Sequence, residues 1–330
     1  MVFSLGIRLL KRLNSIQKMI NICFMGNPKF AVRTLDVLYN DENIDVKLVV
    51  SSPDKKRNRG KVTPTEIKKY AEDKGIDVLT PKTVNSPGFV ERLKELEIDY
   101  IVVVAFGQLI GKDLLEAYED RIINLHPSIL PAYRGASPMQ FSLLNGDDVT
   151  AATTMLIEKG MDSGDILIQE EVPIEENDDY TSLEEKLSEI GAMAIRDTIL
   201  NFDEVYKNRK KQDDSQATFC TKITKDMGRI DWNKNSSEII NKIRAFVEYP
   251  VAYFSYEGSN VKAYKAGIAQ GYEGKPGFVY EANPKEKIVI GTNDGAIRIE
   301  KIQFPGKKAM DTKSFLMGNS FEEKITLAND

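Results

Sequence analysis

From Ile20 onward the chain alternates between two hydrophobic rhythms. Four short runs rich in β-branched residues, INICFM (20–25), DVKLVVS (45–51), DYIVVVA (99–105) and RIINLH (121–126), are mostly apolar, as expected of strands covered on both faces. Between them FAVRTLDVLYN (30–40), TEIKKYAEDKG (65–75) and FVERLKELE (89–97) place apolar residues three and four apart, the spacing of one helix face. Strands alternating with helices predict βαβ units and a doubly wound, mostly parallel sheet of the α/β class. Ligands of such sheets bind at the carboxyl ends of the strands.

The pattern then changes. ATTMLIEKG (152–160) and DILIQEEVPI (165–174) read as strands joined by MDSGD (161–165), and helical spacing runs from Ser182 to about Asn208. NRKKQDDSQAT (208–218) has no apolar period and reads as a solvated linker. Beyond it, SSEIINKIRAF (236–246) is helical. PVAYFSY, VKAYKAGI, GFVYEA and KIVIGTNDGAIRIEKIQ are short strands with turn signals, which predict a small β-barrel or sandwich. The expected organisation is an extension over 1–19, an α/β domain over 20–207, a linker over 208–218 and a β domain over 219–330.

Composition changes this picture in three places. No run of about 18 uncharged apolar residues occurs, so no membrane-spanning helix is expected. Cys23 and Cys220 match no metal or disulfide pattern and read as buried small hydrophobes of a reducing cytosol. The net charge of -5 is uneven: from Thr218 to the end there are 17 Lys+Arg against 14 Asp+Glu, a mildly basic segment behind an acidic body. The leading residues carry Arg8, Lys11, Arg12 and Lys18 without an acid and suit a short amphipathic helix; they are expected to be a non-essential extension before Met19.

Candidate chemistry gathers at one strand end. The first turn, MGNPKFA, has a single glycine where dinucleotide binding needs three, and no acid closes the second strand, which argues against a nicotinamide enzyme. NLHPSILPAYRG (124–135) contains the only histidine of the chain. Asn124 and His126, two apart in an extended run, face the same side, and the prolines that follow stiffen the loop. A carboxylate from the MDSGD turn can orient the imidazole or accept a proton. There is no G-x-S-x-G elbow, neither cysteine has a motif around it, and one histidine cannot build a multi-imidazole zinc site. An amide, an imidazole and a carboxylate without a protein nucleophile suit direct transfer to an incoming substrate nucleophile. Separately, Lys55, Lys56, Arg57, Arg59 and Lys61 lie together without an acid, beside Gly60 and Pro64, as a mobile surface loop able to grip phosphates.

NLHPSILPAYRGASP followed by GMDSGDIL resembles the signature of the folate-dependent formyltransferases, and positions 124, 126 and 162 match its Asn, His and Asp one by one. The similarity runs along nearly the whole chain from Ile20 in the branch that acts on initiator tRNA. It is carried by FMGNPKFA, VVSSPDKKRNRGK with TPTEIKKYA, VVVAFGQLI, ATFCTKITKDMGRIDWNKNSSEIINKIRAF and FPGKKAM. Departures are small: Ile129 and Met161 stand where leucine is usual, and Ser163 where threonine is common.

The resemblance implies a Rossmann-like formyltransferase domain followed by an OB-like barrel, with 10-formyltetrahydrofolate as donor and no metal. The implied acceptor is the methionine α-amino group of initiator methionyl-tRNA. Asn124 and His126 would hold the formyl oxygen, and Asp162 would orient or charge His126 and help take the amine proton. Ser128, Ile129, Leu130 and Pro131, with Phe106, Gly107, Gln108, Leu109 and Ile110, would line the folate. Lys56, Arg57, Arg59 and Lys61 would meet tRNA, Arg59 at the acceptor arm; Lys307 and Lys308 either meet tRNA backbone or face water. Trp232 is expected to pack between helix and barrel. The implied setting is a cytoplasmic monomer without DNA or membrane partners. Two other readings share parts of this pattern: an enzyme that formylates an amino sugar nucleotide or hydrolyses formyl-folate, and a non-enzymatic RNA-binding protein.

Overall fold

A computed structural model describes residues 19–57 and 61–328. The amphipathic helix expected before Met19 lies outside the described residues. The chain folds into two compact units that interleave along the sequence. The first takes the chain through His126, Thr153–Gln169 and Ser188–Gln212; the second takes Pro127–Ala152, Glu170–Leu187 and the chain from Asp213.

The main sheet contains β1 (Ile20–Gly26), β2 (Ile44–Val50), β5 (Val78–Leu79), β6 (Tyr100–Val104), β7 (Ile122–His126), β8 (Val149–Leu156) and β9 (Ile166–Pro173). A separate hairpin pairs β3 (Lys55–Arg57) with β4 (Lys61–Thr63). The sheet order is β9-β8-β7-β6-β1-β2-β5. Five strands are parallel, each neighbour reached through a helical crossover, and β8 reverses against β7. The turn that joins β8 to β9 is too short for a parallel crossover, so β9 returns antiparallel to β8. Strand order changes direction between β1 and β6, where Gly26 lies beside Val104, and such a switch opens a crevice at the carboxyl ends. Cys23, Met25, Leu48, Val50, Ile101 and Val103 are buried between the sheet and its helices.

Two expectations need correction. The helix read from Ser182 to Asn208 is two helices, Tyr180–Leu200 and Phe202–Lys207, interrupted at Asn201. The linker at 208–218 is not solvated throughout: Lys210 exchanges backbone hydrogen bonds with Ile166 at 2.8 and 2.9 Å, and Gln212 is 7% exposed. Hydrophobic periodicity cannot find such a residue, because an amide is buried by its hydrogen bonds and not by apolarity.

In the second unit, helix Ser236–Ala245 and β10 (Ala252–Tyr256), β11 (Ser259–Ala269), β12 (Val279–Asn283), β13 (Lys287–Gly291) and β14 (Ala296–Gln303) form a small β domain. Its antiparallel order is β10-β11-β14-β13-β12, with Met310–Asp311 along β14. Alternate residues of β10 are buried, the period-2 signature of a half-covered strand. Trp232 is fully buried among Ile243, Phe254, Ile299 and their neighbours, 5.6 Å from the Phe254 ring, in the packing role expected of it. The same unit fixes the proline-rich loop after His126. Arg134–Gly135 pairs with Phe219–Cys220, Tyr133 N donates to Thr218 Oγ1 at 2.9 Å, and Cys220 Sγ to Tyr133 O at 3.3 Å.

Candidate active site

The site begins with alternation on β7. Ile123 and Leu125 are buried on one face, which leaves Asn124 and His126 to share the other. His126 stands opposite Thr153 of β8, and Asn124 opposite Met155. The turn after β8 brings Asp162 to this face: its Oδ2 lies 3.8 Å from His126 Nδ1, with side-chain exposures of 24% and 6% respectively. That separation is too long for a direct hydrogen bond and short enough for a strong charge interaction. Burial of the imidazole keeps the ring position defined while the carboxylate retains a path to solvent.

The turn is shaped to present Asp162. Asp162 adopts φ 47, a left-handed conformation that aspartate tolerates better than most residues. A Cβ at Gly164 would lie 2.0 Å from Leu156 O, so glycine is required where the turn returns against β8. Gln212 Nε2 donates to Asp162 O at 2.9 Å and to Gly164 O at 2.8 Å, and Arg209 Nε pairs with Asp165 Oδ2 at 2.9 Å. One buried amide thus clamps the backbone on both sides of the turn. Neither Gln212 nor Arg209 stood out in the sequence; the signal available was an uncharged amide inside the charged run RKKQDD.

A second amide does the same at the sheet switch. Asn27 Oδ1 accepts from Ser51 Oγ at 3.0 Å and Ser52 N at 2.8 Å, and its Nδ2 donates to Phe106 O. It ties the chain leaving β1 to the ends of β2 and β6. Ser51 Oγ lies 2.5 Å from Thr65 Oγ1, which extends the brace. Burial pushes the Cys23 thiol far above its ordinary range, so it is not available as a thiolate. Among the described residues no cluster of three or more His, Cys, Asp or Glu is placed to hold a metal ion.

Residues 18–221 match the formyl transferase family, and residues 222–320 match the formyl transferase C-terminal domain. The chain belongs to the formyl transferase family. It is 41% identical to a methionyl-tRNA formyltransferase of Finegoldia magna over 93% of this chain and 99% of that protein. Identity to another from Caldanaerobacter subterraneus is 39%, with the same coverage of both chains. Among solved structures it is similar to WlaRD, a sugar 3N-formyl transferase crystallised with dTDP and 5-N-formyl-THF. That match has a TM-score of 0.62 and 27% identity over 88% of this chain and 99% of that one. HypX from Aquifex aeolicus, solved with tetrahydrofolic acid, shares the fold at a TM-score of 0.58 and 18% identity, over 89% of this chain and 46% of that one.

In this formyl transferase the other expected site residues divide by burial. Phe106 and Ile110 are core residues beneath the sheet, so what they offer a ligand is backbone. Ala105 (φ 47) and Gly107 (φ 76) bend the segment outward, and Leu109 is 80% exposed. Gln108 braces the segment from within: its Oε1 accepts from Val84 N at 3.2 Å and its Nε2 donates to Pro81 O at 3.3 Å. Asn85, which sequence reasoning missed, donates to Leu109 O at 2.8 Å. In the second unit Ser128 and Leu130 are buried, Ser128 Oγ donating to Ala132 O at 2.6 Å, while Ile129 and Pro131 are half-buried.

The described part of the basic segment is a hairpin. Its arms are paired strands, with Lys56 opposite Val62 and Arg57 opposite Lys61. Arg59 lies outside the described residues. Lys307 and Lys308 are exposed in the β domain.

Proposed function

We propose that this formyl transferase carries the formyl group of 10-formyltetrahydrofolate to the α-amino group of methionine on initiator methionyl-tRNA. The observation that carries the chemistry is His126 Nδ1 facing Asp162 at 3.8 Å, on the face of β7 that also holds Asn124. The acceptor is supported by relatives of about 40% identity that this chain matches over 99% of their length, the C-terminal β domain included. The folate supplies an activated one-carbon unit at formyl oxidation level. The exposed backbone around Gly107, at the carboxyl end of β6, suits a pterin that seeks amide and carbonyl partners. Phe106 to Ile110 and Ser128 to Pro131 are the residues proposed to meet the folate, each group within its own unit.

The Asn124 amide and His126 Nε2–H donate to the formyl oxygen as negative charge grows on it. Preorganised donors of this kind stabilise the transition state at little reorganisation cost. An imidazole that carries a proton on Nε2 is a donor there. Asp162, through one water, takes the proton that the attacking amine loses. A carbon–nitrogen bond forms to methionine, the bond to the folate nitrogen breaks, and that nitrogen takes up a proton. No protein nucleophile is needed. Lys56, Arg57, Arg59, Lys61, Lys307 and Lys308 are the residues proposed to meet tRNA, and the enzyme works as a cytoplasmic monomer.

The test offers purified protein 10-formyltetrahydrofolate with methionyl-tRNA, and with an amino sugar nucleotide as competing acceptor. N-formylmethionine on tRNA is the expected product. Formylation of the sugar in its place overturns the acceptor, and release of formate without any acceptor overturns the transfer.

A further inference from the structure

The β domain holds a cavity that the formyl-transfer chemistry leaves without a role. Its volume is ≈ 770 Å³, within the range of about 300–1,000 Å³ that ligand pockets occupy. Phe304 and Phe315 form its apolar wall, stacked at 4.8 Å with 11° between their planes, and Tyr256 meets Phe304 edge-on at 6.3 Å. Both phenylalanines are half-buried. Asn319 and Ser320 add neutral polar groups to the lining, and the charged lining residues are Lys307, Lys308 and Glu257.

The two lysines sit on a built turn. Lys307 N donates to Phe304 O at 3.1 Å, Pro305 occupies the second position, and Gly306 has φ 72, the signature of a type II turn. Gln303 Nε2 then donates to Lys307 O at 2.7 Å, and Gln303 Oε1 accepts from Tyr264 Oη at 2.7 Å. The turn therefore fixes where the cations leave the backbone, which lowers the ordering cost of binding an anion. A purely apolar ligand would leave the lysine pair without a partner, and a bare phosphate would leave the ring pair without one. A flat base carrying a phosphate satisfies both.

We propose that this cavity receives one unstacked nucleotide of the acceptor tRNA, its base against the Phe304–Phe315 pair and its phosphate at Lys307 and Lys308. The proposal rests on tRNA being the acceptor, and binding is measured apart from transfer so that each can fail alone. Full-length protein is titrated with deacylated initiator tRNA over a salt series, as wild type, as the double variant Lys307→Ala/Lys308→Ala, and as Phe304→Leu and Phe315→Leu. Leucine keeps the wall filled, and a second ring variant guards against one that misfolds. Loss of base stacking weakens binding about 5- to 150-fold without changing the salt dependence. The lysine variant instead flattens the salt dependence, by roughly 0.7 for each phosphate no longer neutralised. Chemical mapping of the tRNA shows one base protected by the wild type and exposed with either ring variant. Wild-type affinity in both leucine variants, with protection unchanged, overturns the pocket even if the lysines matter, since they would then be a phosphate patch alone. A wild type that binds no tRNA overturns it as well. A wild type that shows the base protection yet transfers no formyl group overturns the acceptor reading and supports the pocket.

Discussion

The carboxyl end of β7 and the basic hairpin β3–β4 belong to the same unit and are organised by opposite means. At β7 the groups proposed to react are few, and uncharged side chains fix the frame around them: Gln212 clamps the turn that carries Asp162, and Asn27 joins three strand ends. In the hairpin, charged residues are carried on two three-residue strands paired with each other. Chemistry needs a fixed geometry, which hydrogen-bonded amides can supply; electrostatic attraction acts over many ångströms and needs only a surface.

The sharpest way to break this contrast is to remove the chemistry while leaving the frame. His126→Ala is expected to lower kcat about 10³-fold, and Asn124→Ala about 10²- to 10³-fold, with KM for methionyl-tRNA little changed. Initial rates of N-formylmethionine formation decide it. A His126→Ala enzyme within tenfold of wild type would make the strand end a structural feature.

Next in size is a backbone effect in the second unit. Gly135 has φ 123, and a Cβ there would lie 2.2 Å from Cys220 O, across the short pair that holds the proline-rich loop. Gly135→Ala is expected to cost about 3 kcal/mol or more of stability, read as a fall in melting temperature. If melting is unchanged, the pair does not constrain the loop. The partner strand of Gly135, Phe219–Cys220, was not legible in the sequence, because two residues carry no periodicity.

That limit applies across the molecule. The parallel sheet and its helices were legible, since strand runs repeat over many residues, and so was the shared face of Asn124 and His126, which the period of a strand dictates. Gln212 was hidden in a segment with no apolar pattern, and the burial of Phe106 and Ile110 was hidden because a sequence cannot say which face of a bend turns inward. Gln212 also yields the middle prediction. Gln212→Ala removes both donors to the turn, and Gln212→Glu keeps the shape while removing them. Both are expected to lower kcat about tenfold through misplacement of Asp162, with KM for tRNA unchanged. A change in KM alone would show that the clamp serves binding.

The smallest effect tests the other side of the contrast. Replacing Lys56, Arg57 and Lys61 together by alanine removes three positive charges from the hairpin without touching the frame at β7. If the segment acts by attraction alone, KM for methionyl-tRNA rises a few-fold at low salt, the variant and wild type converge as salt screens the surface, and kcat stays constant. Steady-state rates at two ionic strengths separate the cases. A fall in kcat that persists at high salt would mean that the hairpin positions the acceptor end geometrically, and the division between a fixed chemical frame and a diffuse electrostatic surface would then fail at its weakest point.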